Sequence, residues 1–241
     1  MTRDQARQKI IFALDVPGLA EAERWAGLLA DRVGMFKVGK QLFTAAGPAV
    51  VRAIRERGGE VFLDLKYHDI PNTVAMASLE AARLGATLFN LHALGGYEMM
   101  ARTVEALDRE NGGTRAAKVL AVTILTSSSE ATLREVGIDR PVPEMVVRLA
   151  QLAQRAGIDG VVASPREVPL IREACGPGFL VVTPGVRPAF AAADDQQRIM
   201  TPAEAVRAGA DYLVIGRPIA AAPDPAAAAA AIIDEMVEVG E

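Results

Sequence analysis

The chain has 241 residues, 51% of them hydrophobic, enough to fill the core of one large α/β domain or two small ones. Its 26 basic and 30 acidic residues leave a net charge of -4, which argues against a nucleic-acid binder with a basic face but not against a small anionic ligand. Cys175 is the only cysteine, so an intrachain disulfide is excluded and a reducing compartment is expected. Lying beside Gly176 at the end of a helical pattern, it reads as a buried structural thiol. Residues 1–9 are polar with no apolar run behind them, and no stretch approaches a membrane span, so a soluble cytoplasmic protein is expected.

Short apolar runs alternate with helix-spaced segments along the whole chain. Runs at 10–14, 35–38, 61–66, 87–91, 119–124, 160–163, 179–183 and 212–215 read as strands. Their continuous apolar character is that of parallel strands covered on both faces. One helical segment between them carries Leu19, Ala22, Ala26, Leu29 and Val33; another has Leu42, Ala46, Val50 and Ile54; a third has Val74, Ala77, Ala81 and Leu84. Asp224-Pro225, ahead of the alanine run 226–231, reads as the N-cap and first turn of a final helix. Repeated strand–helix units at this length predict a single (β/α)8 TIM barrel over residues 1–241. A doubly wound open sheet would carry a glycine-rich dinucleotide turn after its first strand, where this chain has Asp15-Val16-Pro17-Gly18. The stretch 184–201 has no sustained period and is long for a βα connection, as a functional loop or lid would be.

In such a barrel the chemistry lies at the C-terminal ends of the strands. Asp15 closes the first strand, Lys37 sits late in the second, Asp64 and Lys66 finish the third, and Asp69 follows. Alternation along the strand turns Asp64 and Lys66 to one face, so neighbouring strands would build a patch of alternating charge. A purely structural ion-pair network could cap the rim in the same way, but charges following directly on Val61-Phe62-Leu63 are costly and more often functional. Schiff-base chemistry needs a neutral amine, and carboxylates beside Lys66 favour its charged form. A metal site wants carboxylates without a cation between them, so no metal is expected. An ammonium flanked by acids suits another task, stabilising a carbanion and then protonating it. At the far end, Gly185-Val186-Arg187 and Gly216-Arg217 follow the seventh and eighth strands, where barrel enzymes hold phosphate. Arg187 and Arg217 are candidate phosphate ligands, with Gly216 permitting close approach. His68, His92, Tyr67 and Trp25 read as positioning or packing residues.

The stretch Asp64-Leu65-Lys66-Tyr67-His68-Asp69-Ile70-Pro71-Asn72-Thr73 resembles the signature of the orotidine 5'-phosphate decarboxylase family. Supporting elements are Ala13-Leu14-Asp15, Lys37-Val38-Gly39, Leu125-Thr126-Ser127, Thr183-Pro184-Gly185-Val186-Arg187-Pro188, Asp195-Gln196 and Ile215-Gly216-Arg217, so the resemblance covers nearly the whole chain. It implies decarboxylation of orotidine 5'-phosphate to uridine 5'-phosphate, the last step of de novo pyrimidine nucleotide synthesis, by a cofactor-free homodimer. It further implies that Lys37, Asp64, Lys66 and Asp69 form the charged catalytic network, with Lys66 the proton donor to pyrimidine C6. Asp69 and Thr73 would enter the neighbouring subunit's site, and Asp15 and Lys37 would contact ribose hydroxyls. Thr126 and Ser127 would meet the pyrimidine, and Pro184, Arg187, Gln196, Gly216 and Arg217 would surround the phosphate and the closing loop. Related barrel decarboxylases and aldolases acting on sugar phosphates share an Asp-x-Lys-x-x-Asp core, but their magnesium-dependent members carry an acid where this chain has Lys37. A non-enzymatic phosphometabolite-binding barrel would keep Arg187 and Arg217 without needing the charged set.

Overall fold

The computed structural model describes residues 1–110, 112, 115–190 and 200–238. Its strands are β1 (Ile10–Leu14), β2 (Met35–Gly39), β3 (Val61–Tyr67), β4 (Leu88–His92), β5 (Lys118–Val122), β6 (Gly160–Val162), β7 (Leu180–Pro184) and β8 (Tyr212–Ile215). Each pairs in parallel with the next, and β8 returns to β1, closing a barrel in strict chain order. This is the expected (β/α)8 barrel. The strand ends move by a residue or two from the apolar runs, as at β4, which starts at Leu88 and runs on into His92.

The core has two compartments of different chemistry. Inside the barrel, Ile11, Met35, Phe62, Leu88, Leu120 and Val182 form one buried cluster contributed by six strands. Each such large side chain contributes about 1.5–3 kcal/mol by leaving water, so the interior is a packed plug. Between barrel and helices the buried residues include many alanines, among them Ala22, Ala26, Ala81, Ala150, Ala153, Ala205 and Ala229. Their short side chains let the helices lie close to the strands. The final helix, Pro225–Glu238, uses its alanine run in this way. Asp224 caps it by accepting the Ala227 N–H at 3.0 Å, as the Asp-Pro pair predicted.

Two expectations need correction. The pattern Leu42, Ala46, Val50 and Ile54 does not form one helix but two, Lys40–Ala46 and Ala49–Glu56. Gly47 between them has φ 59°, a left-handed turn residue, and Pro48 disfavours the helical region for whatever precedes it. The spacing survives because both pieces pack on β2. Cys175 ends the helix Val168–Cys175 and is half-buried, not buried. Burial still pushes its thiol up, against the opposing charge of Arg172, so it is no activated nucleophile. Among the described residues no helix is long and apolar enough to cross a membrane.

Candidate active site

The barrel's inner apolar cluster is the floor of a polar mouth. Stepping two residues along each strand from Ile11, Met35, Phe62 and Leu88 gives Ala13, Lys37, Asp64 and Asn90, the next inward-facing positions. The charges are joined. Lys37 Nζ lies 3.1 Å from Asp15 Oδ1 and 3.6 Å from Asp64 Oδ2, and Lys66 Nζ lies 2.5 Å from Asp64 Oδ1. Asp15, Lys37, Asp64 and Lys66 thus alternate in sign across three adjacent strands. The side chains of Lys37 and Asp64 are only 12% and 13% exposed, so this is a desolvated pair and not a solvated rim. Such pairs return little net stability, which makes a purely structural reason for them weak. At Gly39 an added Cβ would stand 3.1 Å from Lys37 Nζ, so the glycine keeps space beside that ammonium.

Asp64 and Lys66 do share a face, but simple strand alternation is not what brings them together. The β3–β4 register runs Leu63 with Phe89 and then Tyr67 with Leu91, so β3 advances four residues while β4 advances two. Lys66 lies in this bulge with φ 54°, the only non-glycine with positive φ among the described residues. Its backbone N–H donates to Asn90 Oδ1 at 2.8 Å, and Asn90 Nδ2 donates to Asp64 Oδ1 at 2.7 Å. Asn90 is fully buried and went unremarked in the sequence. The available signal was a lone amide inside the apolar run of β4.

Asp69 and Thr73 stand apart from this network within one chain. Asp69 is exposed and accepts its neighbour Ile70's N–H at 2.6 Å. Among the described ion pairs Lys66 meets Asp64 but not Asp69. Within the single chain, Asp64 is the carboxylate that pairs with Lys66 among the described ion pairs. Thr73 is exposed in the first turn of the helix Pro71–Arg83. Beside them, Ile70 follows Asp69 and Met76 lies one turn after Thr73 on the same helix, 67% and 50% exposed.

The other half of the mouth is a cavity of about 970 Å³ between the ends of β5 to β8, lined by Thr126, Ser127, Glu167, Pro184, Arg187 and Arg217 among others. Arg187 is half-buried, while Thr126, Ser127 and Arg217 are exposed. Its base is fastened by the Arg187 N–H donating to Met200 O at 3.1 Å, beside a bridge between Val186 and Met200. Asp195 and Gln196 lie outside the described residues. Glu167, which follows β6, was not anticipated; burial pushes its carboxyl up, opposed by Ser164 hydrogen bonds and the charge of Arg166. Gly216 lies where the two halves meet: a Cβ there would stand 3.2 Å from Ala13 Cβ and 3.8 Å from Asp15 Oδ2. No group of three or more His, Cys, Asp or Glu side chains gathers to hold a metal among the described residues.

The charged strand-end network thus stands beside a cavity lined by three arginines, Arg166, Arg187 and Arg217. The family model for orotidine 5'-phosphate decarboxylase / HUMPS proteins matches residues 8–232. The chain belongs to that family. It is 78% identical to the orotidine 5'-phosphate decarboxylase of Geobacter sulfurreducens over 237 residues, covering 98% of this chain and 99% of that one. The same identity and coverage hold for the orotidine 5'-phosphate decarboxylase of Geotalea daltonii. Among solved structures, the orotidine 5'-phosphate decarboxylase of Lactobacillus acidophilus superposes with TM-score 0.82 at 39% identity, covering 94% of this chain and 98% of that one. An uncharacterized conserved protein of Geobacillus kaustophilus gives TM-score 0.81 at 42% identity, with 94% and 99% covered.

In this family member the two histidines lie together at the edge of the network, their ring centroids 5.5 Å apart. His92 is pushed down from 6.5 to about 4, first by burial and then by the positive charges of His68, Lys40 and Lys66, with Asp64 opposing. A histidine whose pKa falls on folding is protonated first in the unfolded chain. Its contribution to stability is therefore complete above pH 6.5 and is lost as the pH drops from 6.5 towards 4. Because the ring is partly open to solvent, the slope should stay well under the limit of about 1.4 kcal/mol per pH unit. Urea midpoints measured at pH 7 and pH 5 should differ more for the wild type than for His92→Gln. Equal differences would show that the ring takes up its proton in the native state.

Proposed function

We propose that this chain decarboxylates orotidine 5'-phosphate to uridine 5'-phosphate, with residues 1–241 acting as one barrel unit. The observation that carries the reading is the Lys66 ammonium held 2.5 Å from Asp64 at the barrel mouth, in a chain of charges that continues through Lys37 to Asp15. The names of the relatives, at high identity over nearly the full length, support the same substrate.

Heterolysis of the bond between C6 and its carboxylate releases CO2 and leaves the electron pair on C6. That pair lies in the ring plane, where the pyrimidine π system does not delocalise it, so stabilisation must come from the protein. A fixed ammonium beside C6 supplies it electrostatically, in a site that need not reorganise as charge develops. Lys66 then transfers a proton to C6, giving uridine 5'-phosphate, and its neutral amine regains a proton from solvent. Asp64, which holds the ammonium, also stands where the departing carboxylate would be crowded. In this reading Asp15 and Lys37 hold the ribose hydroxyls, and Thr126 and Ser127 face the pyrimidine. Pro184, Arg187, Gln196, Gly216 and Arg217 take the phosphate. Phosphate lies far from the breaking bond, and its binding energy serves to assemble the site around the base.

The working unit in this proposal is a homodimer, with Asp69 and Thr73 crossing into the partner's mouth. Their exposure beside the exposed side chains of Ile70 and Met76 supports that, since apolar surface next to exposed site residues suits contact with a second chain. Inactive Asp69→Ala and Lys66→Ala proteins, unfolded and refolded together, should then regain about a quarter of wild-type activity, because half the dimers carry one intact site. A mixture as inactive as its components would contradict shared sites.

Loss of orotidine 5'-phosphate absorbance on adding the purified protein tests the activity itself. Turnover is expected equally with chelator and with added magnesium. No turnover, or turnover only with magnesium, would overturn the proposal and favour a sugar-phosphate reaction.

A further inference from the structure

Asn90 is fully buried in the middle of β4, between Phe89 and Leu91, where an apolar side chain would cost nothing to desolvate. It does not touch solvent, so it cannot touch a substrate. Both ends of its amide are used within the barrel. Oδ1 accepts the Lys66 backbone N–H at 2.8 Å, and Nδ2 donates to Asp64 Oδ1 at 2.7 Å. The same Asp64 oxygen receives the Lys66 ammonium at 2.5 Å. These contacts make a closed ring: Lys66 backbone, Asn90 amide, Asp64 carboxylate and Lys66 side chain.

The ring explains a backbone feature that is otherwise unfavourable. Lys66 has φ 54°, and left-handed backbone in a long-chain residue is unfavourable unless its surroundings enforce it. Slippage of the β3–β4 register between Leu63 and Tyr67 interrupts the regular ladder at this point. The Asn90 side chain supplies the acceptor that the Lys66 N–H takes instead. We infer that Asn90 is a positioning residue that acts on both partners of the reacting pair: it enforces the bulge that aims Lys66, and it fixes which way the Asp64 carboxylate faces. This rests on the decarboxylase reading and adds a requirement that the charged residues alone do not meet.

Two substitutions separate this role from packing. Asn90→Leu keeps the volume and removes both hydrogen bonds. Asn90→Asp keeps an acceptor for the Lys66 N–H but sets a carboxylate oxygen against Asp64. Wild-type and Lys66→Ala proteins assayed alongside test the reading on which the inference rests; a wild type without turnover would defeat that reading, not the positioning role. Given wild-type turnover, kcat in Asn90→Leu should fall about 100-fold, the scale expected for a misplacement near 1 Å, with uridine 5'-phosphate binding within a few-fold of wild type. In Asn90→Asp, kcat should fall by at least as much at pH 8 and recover relative to wild type as the pH is lowered. There one proton shared between the two carboxyls restores a donor to Asp64. The recovery keeps the test informative even if Asn90→Leu does not fold. Near-wild-type kcat in a folded Asn90→Leu protein, or a pH profile for Asn90→Asp parallel to that of wild type, would overturn the inference.

Discussion

Lys66→Ala should lose decarboxylation almost entirely, with kcat/KM for orotidine 5'-phosphate falling by more than about 10³. Removing one preorganised donor from a charge-stabilising site typically costs 10²–10³, and Lys66 is assigned both that role and the proton transfer. The protein should nevertheless fold and bind. Without the ammonium, Asp64 keeps Lys37 at 3.6 Å and the Asn90 amide at 2.7 Å, so no buried carboxylate is left without a partner. Calorimetry with uridine 5'-phosphate should give an affinity within about tenfold of wild type. Loss of binding in step with activity would move Lys66 from the chemistry to substrate recognition.

Arg187→Ala carries the second large expectation, and it is selective. Truncating one member of a charge-assisted contact to phosphate costs about 2–5 kcal/mol, so kcat/KM for orotidine 5'-phosphate should fall by between about 30-fold and a few thousand-fold. For orotidine lacking its phosphate, the same variant and the wild type should react at equal, low rates. Arg217 is exposed where Arg187 is half-buried, so Arg217→Ala should show the same selectivity with a smaller loss. Equal losses on both substrates would mean that Arg187 supports the loop's structure instead of gripping phosphate. Its backbone N–H already fastens that loop to Met200, so the comparison between substrates, not the loss alone, decides.

The barrel was legible because each strand is built around a short apolar run, which parallel strands covered on both faces require. Charged residues at the ends of such runs stood out for the same reason. What the pattern could not carry was anything set by pairing between strands. The bulge at Lys66 depends on how β3 slides past β4, and a linear reading by alternation places Lys66 on the right face for an incomplete reason. Asn90 was passed over because one amide in an apolar run means little until its partners on β3 are seen. The hydrophobic period Leu42, Ala46, Val50 and Ile54 runs unbroken across Gly47-Pro48, so spacing alone does not show that it spans two helices. Asp69 marks the boundary of a single chain: its sequence neighbours set it beside Lys66, but the fold turns it to Ile70 and the surface.

Proton exchange at C6 of uridine 5'-phosphate probes the central claim without the loss of CO2. By microscopic reversibility, a site that stabilises the C6 carbanion and protonates it must also remove that proton from the product. In deuterated water the wild type should replace the C6 proton of bound uridine 5'-phosphate with deuterium, read by NMR, while Lys66→Ala binds the nucleotide and leaves the proton in place. Exchange at the same rate in both proteins would contradict the account.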